Sequence, residues 1–210
     1  MPRRSYDQYC PLSRALDVIG ERWTVLIVRE LLAGPRRYTD LHADLPAVST
    51  DVLAARLKEM EQDGLVTRRR LPPPAAAAVY ELTPRGRGLL PALVALADWG
   101  AADLAERRPT DALRAHWFAL PLLRELADLA IPCEGVVDIR LDEGTFHVLI
   151  NGTGPAYAHG PAAHADARLT MGARACLAVS RGHASLPEMI KKGEVGIDGD
   201  GPLARALRSQ

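Results

Sequence analysis

The sequence predicts an α+β protein in two parts. Three observations carry that reading. In the first half, short helical stretches lead to the amphipathic segment STDVLAARLKEMEQDG, and two β-branched segments follow around PPPAAAA. Past Arg107-Arg108-Pro109 the pattern changes to alternating strands interleaved with helices. A length of 210 residues also suits two small domains, each with its own core. The boundary is drawn between 108 and 109, giving domains 1–108 and 109–210.

The elements follow from local chemistry. Leu12–Ile19 reads as a short helix after Pro11. Arg22–Leu32 is apolar nearly all round, as expected of a buried central helix. Gly34-Pro35 stops it. Thr39-Asp40-Leu41 opens another short helix that ends before Pro46. Ser49 or Thr50 can cap the next, whose Leu53, Leu57 and Met60 recur at steps of one buried face. Gly64 ends it. Val66–Leu71 and Val79–Leu82 form a hairpin with a long tip, and one long helix is expected from Pro84 onward, bent at Pro91.

In the second half, Ala112–Ala130 reads as a helix ended by Pro132. Val136–Leu141 and Phe146–Ile150 form a hairpin around Asp142-Glu143-Gly144-Thr145. A Gly/Pro/Ala-rich passage follows. Then come a strand (Ala167–Met171), a helix (Ala173–Ser180), a short helix (Leu186–Lys192), a strand (Glu194–Ile197) and a helix (Leu203–Arg208).

Lys+Arg and Asp+Glu are both 26, so overall charge argues neither for nor against a nucleic-acid partner. Residues 1–108 hold 16 basic and 14 acidic side chains, and residues 109–210 hold 10 and 12. The longest apolar runs fall short of the roughly 20 residues needed to span a bilayer, and MPRRSYDQYC lacks the apolar stretch of a secretory signal. Three widely spaced cysteines (Cys10, Cys133, Cys176) fit free thiols in a reducing cytoplasm.

The basic residues are placed rather than spread. Three helices, then a helix with a polar N-terminus, then a hairpin with Arg68, Arg69 and Arg70 at its base: this order is that of a winged helix-turn-helix. A helix about 10–12 Å across fits the B-DNA major groove, about 12 Å wide. Small residues at its N-terminal end let that end approach base edges, and its amides favour a phosphate. Ser49, Thr50 and Asp51 occupy that end. Arg56 is expected on the exposed side, long enough to reach a guanine edge or a phosphate. Arg37 and Thr39 would meet the flanking backbone. Alternation along a strand prevents all three wing arginines from facing one way, so two are expected to face DNA and one to lie sideways or pair with an acid.

Residues 10 to about 100 resemble the HxlR-type transcriptional regulators, a branch of the MarR-like winged-helix proteins. The matching text is CPLSRALDVIGERWTVLIVRELLAGPRRYTDL, then LPAVSTDVLAARLKEMEQDGLV, then YELTPRGRGLLPALVALADWG. The resemblance implies a homodimer on a pseudo-palindromic double-stranded operator, its half-sites one helical turn apart. Cys10 matches an N-terminal cysteine that some relatives use as a thiol sensor. The tip PPPAAAA departs from relatives that carry a basic residue there.

Residues 111–210 look like a sterol-carrier-protein-type domain, on the text ADARLTMGARACLAVSRGHASLPEMIKKGEVGIDGDGPLARALRS. That resemblance implies a curved mixed sheet with helices over one face and an apolar cavity for a hydrophobic small molecule. The residues expected to line it are Trp117, Phe118, Phe146, Val148, Tyr157, Met171, Met189 and Ile190.

Other signals are set aside. His147, His159, His164 and His183 lack the convergent spacing of a metal site, and no metal or cofactor is expected. NGTGPAYAHG has glycines without a following helix, so it fails the dinucleotide fingerprint. No nucleophile–base pair is visible, and an enzyme is not expected. The functional expectation is a homodimeric, DNA-binding repressor in the cytoplasm, responsive to a hydrophobic effector held by the second domain. Two alternatives stand beside it: a redox regulator acting through Cys10, and a lipid or small-molecule carrier that uses the winged helix for dimerisation.

Overall fold

The computed structural model describes residues 5–74, 77–104, 108–152 and 156–210. The chain forms two compact units, Met1–Leu90 and Pro91–Gln210, taken here in turn.

The first unit contains α1 (Pro11–Ile19), α2 (Thr24–Leu32), β1 (Arg36–Arg37), α3 (Tyr38–Asp44), α4 (Thr50–Gln62), β2 (Val66–Arg70), β3 (Ala78–Leu82) and α5 (Pro84–Arg87). α1 has Pro at its first turn, where a missing N–H costs nothing. Its Ser13 hydroxyl donates to the carbonyls of Cys10 and Gln8, at 2.9 and 3.2 Å. Asp17 accepts from the Tyr6 amide at 2.9 Å and ties the preceding segment to the helix. α4 is capped by Ser49, whose Oγ accepts from the Val52 amide. Its buried residues are Leu53, Leu57 and Met60, the expected face, which joins Ile27, Val28, Leu31, Leu41 and Leu45 in the core. Each such side chain contributes about 1.5–3 kcal/mol by leaving water. At Gly64 the backbone turns left-handed (φ +67°), and the Leu65 amide returns to the Met60 carbonyl at 2.9 Å.

β2 and β3 pair antiparallel from Val66↔Leu82 to Arg70↔Ala78, and β1 pairs with the other edge of β3. β1 is absent from the sequence reading. Ala75 and Ala76 of the expected tip lie outside the described residues. The wing is fastened to the end of α4 by TPRG. Thr83 Oγ1 donates to the Gly64 carbonyl at 2.6 Å and accepts from the Gly86 amide, and Arg85 donates to the Asp63 carbonyl at 2.7 Å.

The long helix expected from Pro84 is instead two: α5, and then α6 (Leu90–Ala101). Proline explains the break. Pro91 has no N–H for the Arg87 carbonyl, and its ring would collide with that carbonyl in a continuous helix. It therefore sits in the first turn of a new one.

The second unit continues with a 3-10 turn (Ala115–Phe118), α7 (Ala119–Asp128), β4 (Gly135–Leu141), β5 (Gly144–Ile150), β6 (Tyr157–His159), β7 (Ala167–Met171), α8 (Ala173–Ser180), α9 (Leu186–Lys191), β8 (Val195–Asp198) and α10 (Pro202–Arg208). The expected helix Ala112–Ala130 is thus shorter and enters through a 3-10 turn, for the same reason: Pro121 cannot bond back to Trp117. The five strands are ordered β6-β5-β4-β7-β8, with β4 and β7 parallel and the other pairs antiparallel. β6 lies in the passage read as loop.

One face of this sheet is apolar and buried: Val137, Ile139, Phe146, Val148, Tyr157, Leu169 and Val195. Leu122, Val179, Leu203 and Leu207 of the helices are buried as well. On the other face Asp138 is buried and accepts from the Ala162 amide at 2.8 Å, while Arg168 and Thr170 are exposed. At the β8 edge, the Arg208 guanidinium donates to the carbonyls of Ile197 and Gly199 at 2.9 and 2.7 Å.

Candidate nucleic-acid interface

The exposed end of α4 is built from backbone and cap. Ser49, Thr50 and Asp51 are all exposed at its first turn. Ala47 takes a left-handed conformation (φ +69°) where the chain turns into this end. Tyr38, at the start of α3, donates its hydroxyl to the Thr50 carbonyl at 2.7 Å, which ties the two helix N-termini together. Sequence reasoning missed Tyr38. It also missed Lys58, exposed on the same face as Asp51, Ala54 and Ala55; the i, i+3, i+4 spacing from Asp51 was the signal that could have found it.

Arg37 and Thr39 are exposed at the β1–α3 junction, where Asp40 accepts from the Arg37 amide at 3.3 Å. Arg36 beside them is paired with Asp44. In the wing, Arg68 and Arg70 share one face of β2 and are exposed; Arg68 lies over the Tyr80 ring, 6.0 Å from its centroid. Arg69 points to the opposite face and pairs with Glu81 through two bonds of 3.1 Å. Arg69 is thus the wing arginine that pairs with an acid, and Arg68 and Arg70 lie together on the other face.

Arg56 differs from expectation. Its side chain is only 16 % exposed and is held by two carboxylates, Glu59 on the next turn and Glu21 at 3.4 Å. It sits beside the exposed face of α4 rather than on it.

Cys10 is half-buried at the N-terminus of α1, where the Ser13 and Leu12 amides point at its sulfur and hold the thiol below its ordinary value. Cys176 is buried, and its sulfur lies 3.0 Å from Met171 Sδ; burial pushes its thiol up to about 12.

Of the residues expected to line an apolar cavity, Phe118, Phe146, Val148, Tyr157, Met171 and Met189 are packed in the core of the second unit. Trp117 and Ile190 are half-buried. A half-open cleft of about 370 Å³ lies instead at the strand ends, lined by Arg140, Thr170, Glu194 and neighbours, and shares only Met171 with that set.

Residues 18–108 match the model of the family described as HxlR-like helix-turn-helix. The uncharacterized HTH-type transcriptional regulator YvaP of Bacillus subtilis is 39% identical over 93 residues, which is 44% of this chain and 86% of that one. The chain belongs to the HxlR-like helix-turn-helix family. Another relative of this HxlR-like chain, the HTH-type transcriptional regulator YodB of the same organism, is 38% identical over 81 residues, 38% of this chain and 72% of its own length. The solved reduced form of YodB covers 50% of this chain and 100% of its own, with 32% identity and a TM-score of 0.41. The family match takes in α2 to α6, so every candidate DNA-contact residue falls within it. Among the described residues, no helix is long and apolar enough to cross a membrane.

Proposed function

We propose that this protein is a sequence-specific, double-stranded DNA-binding transcriptional regulator that acts as a homodimer. The observation that carries this reading is the exposed, Ser49-capped end of α4, with Arg37 and the wing residues Arg68 and Arg70 exposed in the same unit. In this reading Thr50, Asp51 and the face through Lys58 enter the major groove. Arg37 and Thr39 hold flanking phosphates, and Arg68 and Arg70 hold the backbone beside the wing. Residues 1–108 form the DNA-binding and dimerisation domain, and residues 109–210 form the responsive one.

Exposed apolar residues support the dimer. α1 presents Leu12 and Leu16, with Tyr9 just before it, and α6 presents Leu96 and Trp99, the last 77 % exposed. Two-fold symmetry then calls for a pseudo-palindromic operator. The test is selection from a random duplex pool followed by titration of the enriched sequence. Recovery of an inverted repeat bound far more tightly than unrelated DNA is the expected result, whereas equal binding of all sequences would support the carrier alternative.

A second domain that senses a hydrophobic effector rests on the mixed five-stranded sheet that the sterol-carrier resemblance implies. Native mass spectrometry tests it: a dimer carrying a small-molecule increment that vanishes on denaturation is expected. The redox alternative rests on the place of Cys10 at the N-terminus of α1, where backbone amides favour its thiolate. An oxidant response unchanged in Cys10→Ser would remove it.

A further inference from the structure

We propose that Glu21 and Arg56 form a positioning pair that sets the angle of α4, and that Arg56 does not read a base. The proposal rests on the DNA-binding reading above. Arg56 is the one arginine of α4, and its length and place suggest a reader. Its surroundings say otherwise. The guanidinium reaches back to Glu21, 35 residues earlier, and along its own helix to Glu59. Its Nε is out of reach of solvent. Glu21 and Glu59 are themselves 52 and 54 % exposed, so the group between them is covered while its partners face water. To reach a base, Arg56 would leave both carboxylates and turn them, unneutralised, toward DNA phosphates.

The segment that presents Glu21 has a constrained backbone. Gly20 caps the end of α1, its amide bonding to the Leu16 carbonyl at 2.8 Å, and a Cβ there would lie 2.5 Å from that oxygen, so this tight helix end takes glycine. Trp23 adopts a left-handed backbone (φ +80°) with the Arg22 guanidinium 5.3 Å from its ring centroid. A non-glycine residue in that conformation is over-determined by its surroundings. GERWT thus becomes a constrained bracket: Gly20 closes α1, Trp23 turns the chain into α2, and Glu21 between them grips the helix that meets DNA. Base discrimination then falls to Thr50, Asp51, Ala54, Ala55 and Lys58.

The test compares wild type with Glu21→Gln, Arg56→Gln, the double variant and Arg56→Lys. The probes are the duplex selected by the wild type and a scrambled duplex of equal length. Removing an acid beside DNA favours phosphate approach, so Glu21→Gln should bind scrambled DNA at least as well as wild type. A positioning pair predicts that the same variant loses about two- to fivefold on the selected duplex. Arg56→Gln should lose a similar amount spread over all base positions, the double variant no more than either single one, and Arg56→Lys should not rescue, since lysine lacks the planar fork. The proposal is overturned by unchanged or tighter selected-site binding in Glu21→Gln, by additive losses, or by an Arg56→Gln loss confined to one base pair. Should the wild type select no sequence, the DNA-binding reading fails, and the pair is judged on thermal unfolding of the wild type, the two glutamine variants and the double variant. Non-additive losses in Tm keep it, and additive ones end it.

Discussion

Arg69 and Glu81 face each other diagonally across the wing, Nε and Nη2 of the guanidinium each 3.1 Å from a carboxylate oxygen. The pair raises the affinity of Arg69 for its proton, through the bonds to Glu81 first and its charge second. It also sorts three consecutive arginines by role: one is spent on the wing's own shape, and two share the opposite face of the strand. Replacing Arg68 or Arg70 by alanine should therefore weaken DNA binding about evenly across sequences. Each should lower the slope of log K against log salt by about 1, and Arg69→Ala should change it less. Anisotropy titrations over a salt series check this; unchanged slopes for Arg68→Ala and Arg70→Ala would take the wing out of the interface.

Gly86 is fixed by space. A Cβ there would lie 2.2 Å from the Leu65 carbonyl oxygen and 2.9 Å from Leu82 Cδ2. Neither can yield cheaply, since one is backbone and the other is core. Gly86→Ala should cost about 3 kcal/mol in urea unfolding. A cost below about 0.5 kcal/mol, the range of ordinary surface changes, would mean that the α5 junction is looser than described.

The two thiols should separate by pH. Cys10, held low by the Ser13 and Leu12 amides, is expected to alkylate in the native protein at a pH below that of a free thiol. Cys176, raised to about 12 by burial first and the charge of Glu143 second, should react only on unfolding. The sign for stability follows. An acid held protonated in the folded state retains its proton while the unfolded chain releases it, so Cys176 lowers stability as pH rises above about 8.5, and the loss grows until about 12. Cys176→Ala should flatten that alkaline decline. Mass-resolved alkylation and unfolding at pH 7 and 10 read both effects.

Exposed apolar side chains give the fourth expectation. Leu12→Glu with Leu16→Glu should convert a dimer to a monomer in light scattering at micromolar concentration, with helix content unchanged, because these side chains are exposed within their own unit. Trp99→Ala should weaken the dimer in the same assay. A monomeric wild type would remove the basis for both.

Most elements were legible because their signals are local. The α4 face, its Ser49 cap and the Gly64 stop can be read from spacing and residue type, and β7 and α8 fall where alternation and helical period place them. What escaped depends on partners distant in sequence. β1 is two residues long and is a strand only because β3 lies beside it. β6 exists through Val148↔Tyr157 and its neighbours, inside a Gly/Pro-rich passage with no period of its own. The site shows the same division. Residue types placed Ser49, Thr50 and the arginines, but the fate of Arg56 was set by Glu21, 35 residues away, which no helical period could announce.

The Arg208 guanidinium closes another account. A strand at the margin of a sheet offers a row of unsatisfied carbonyls to any passing chain, and pairing there propagates into polymer. By occupying the carbonyl of Ile197 in β8 and that of Gly199 just past its end, α10 removes one rung from such a ladder and blocks its continuation. Shortening the chain before Arg208, or replacing it with alanine, should therefore appear first as poor solubility and growth of large particles at high concentration, before any loss of folded structure.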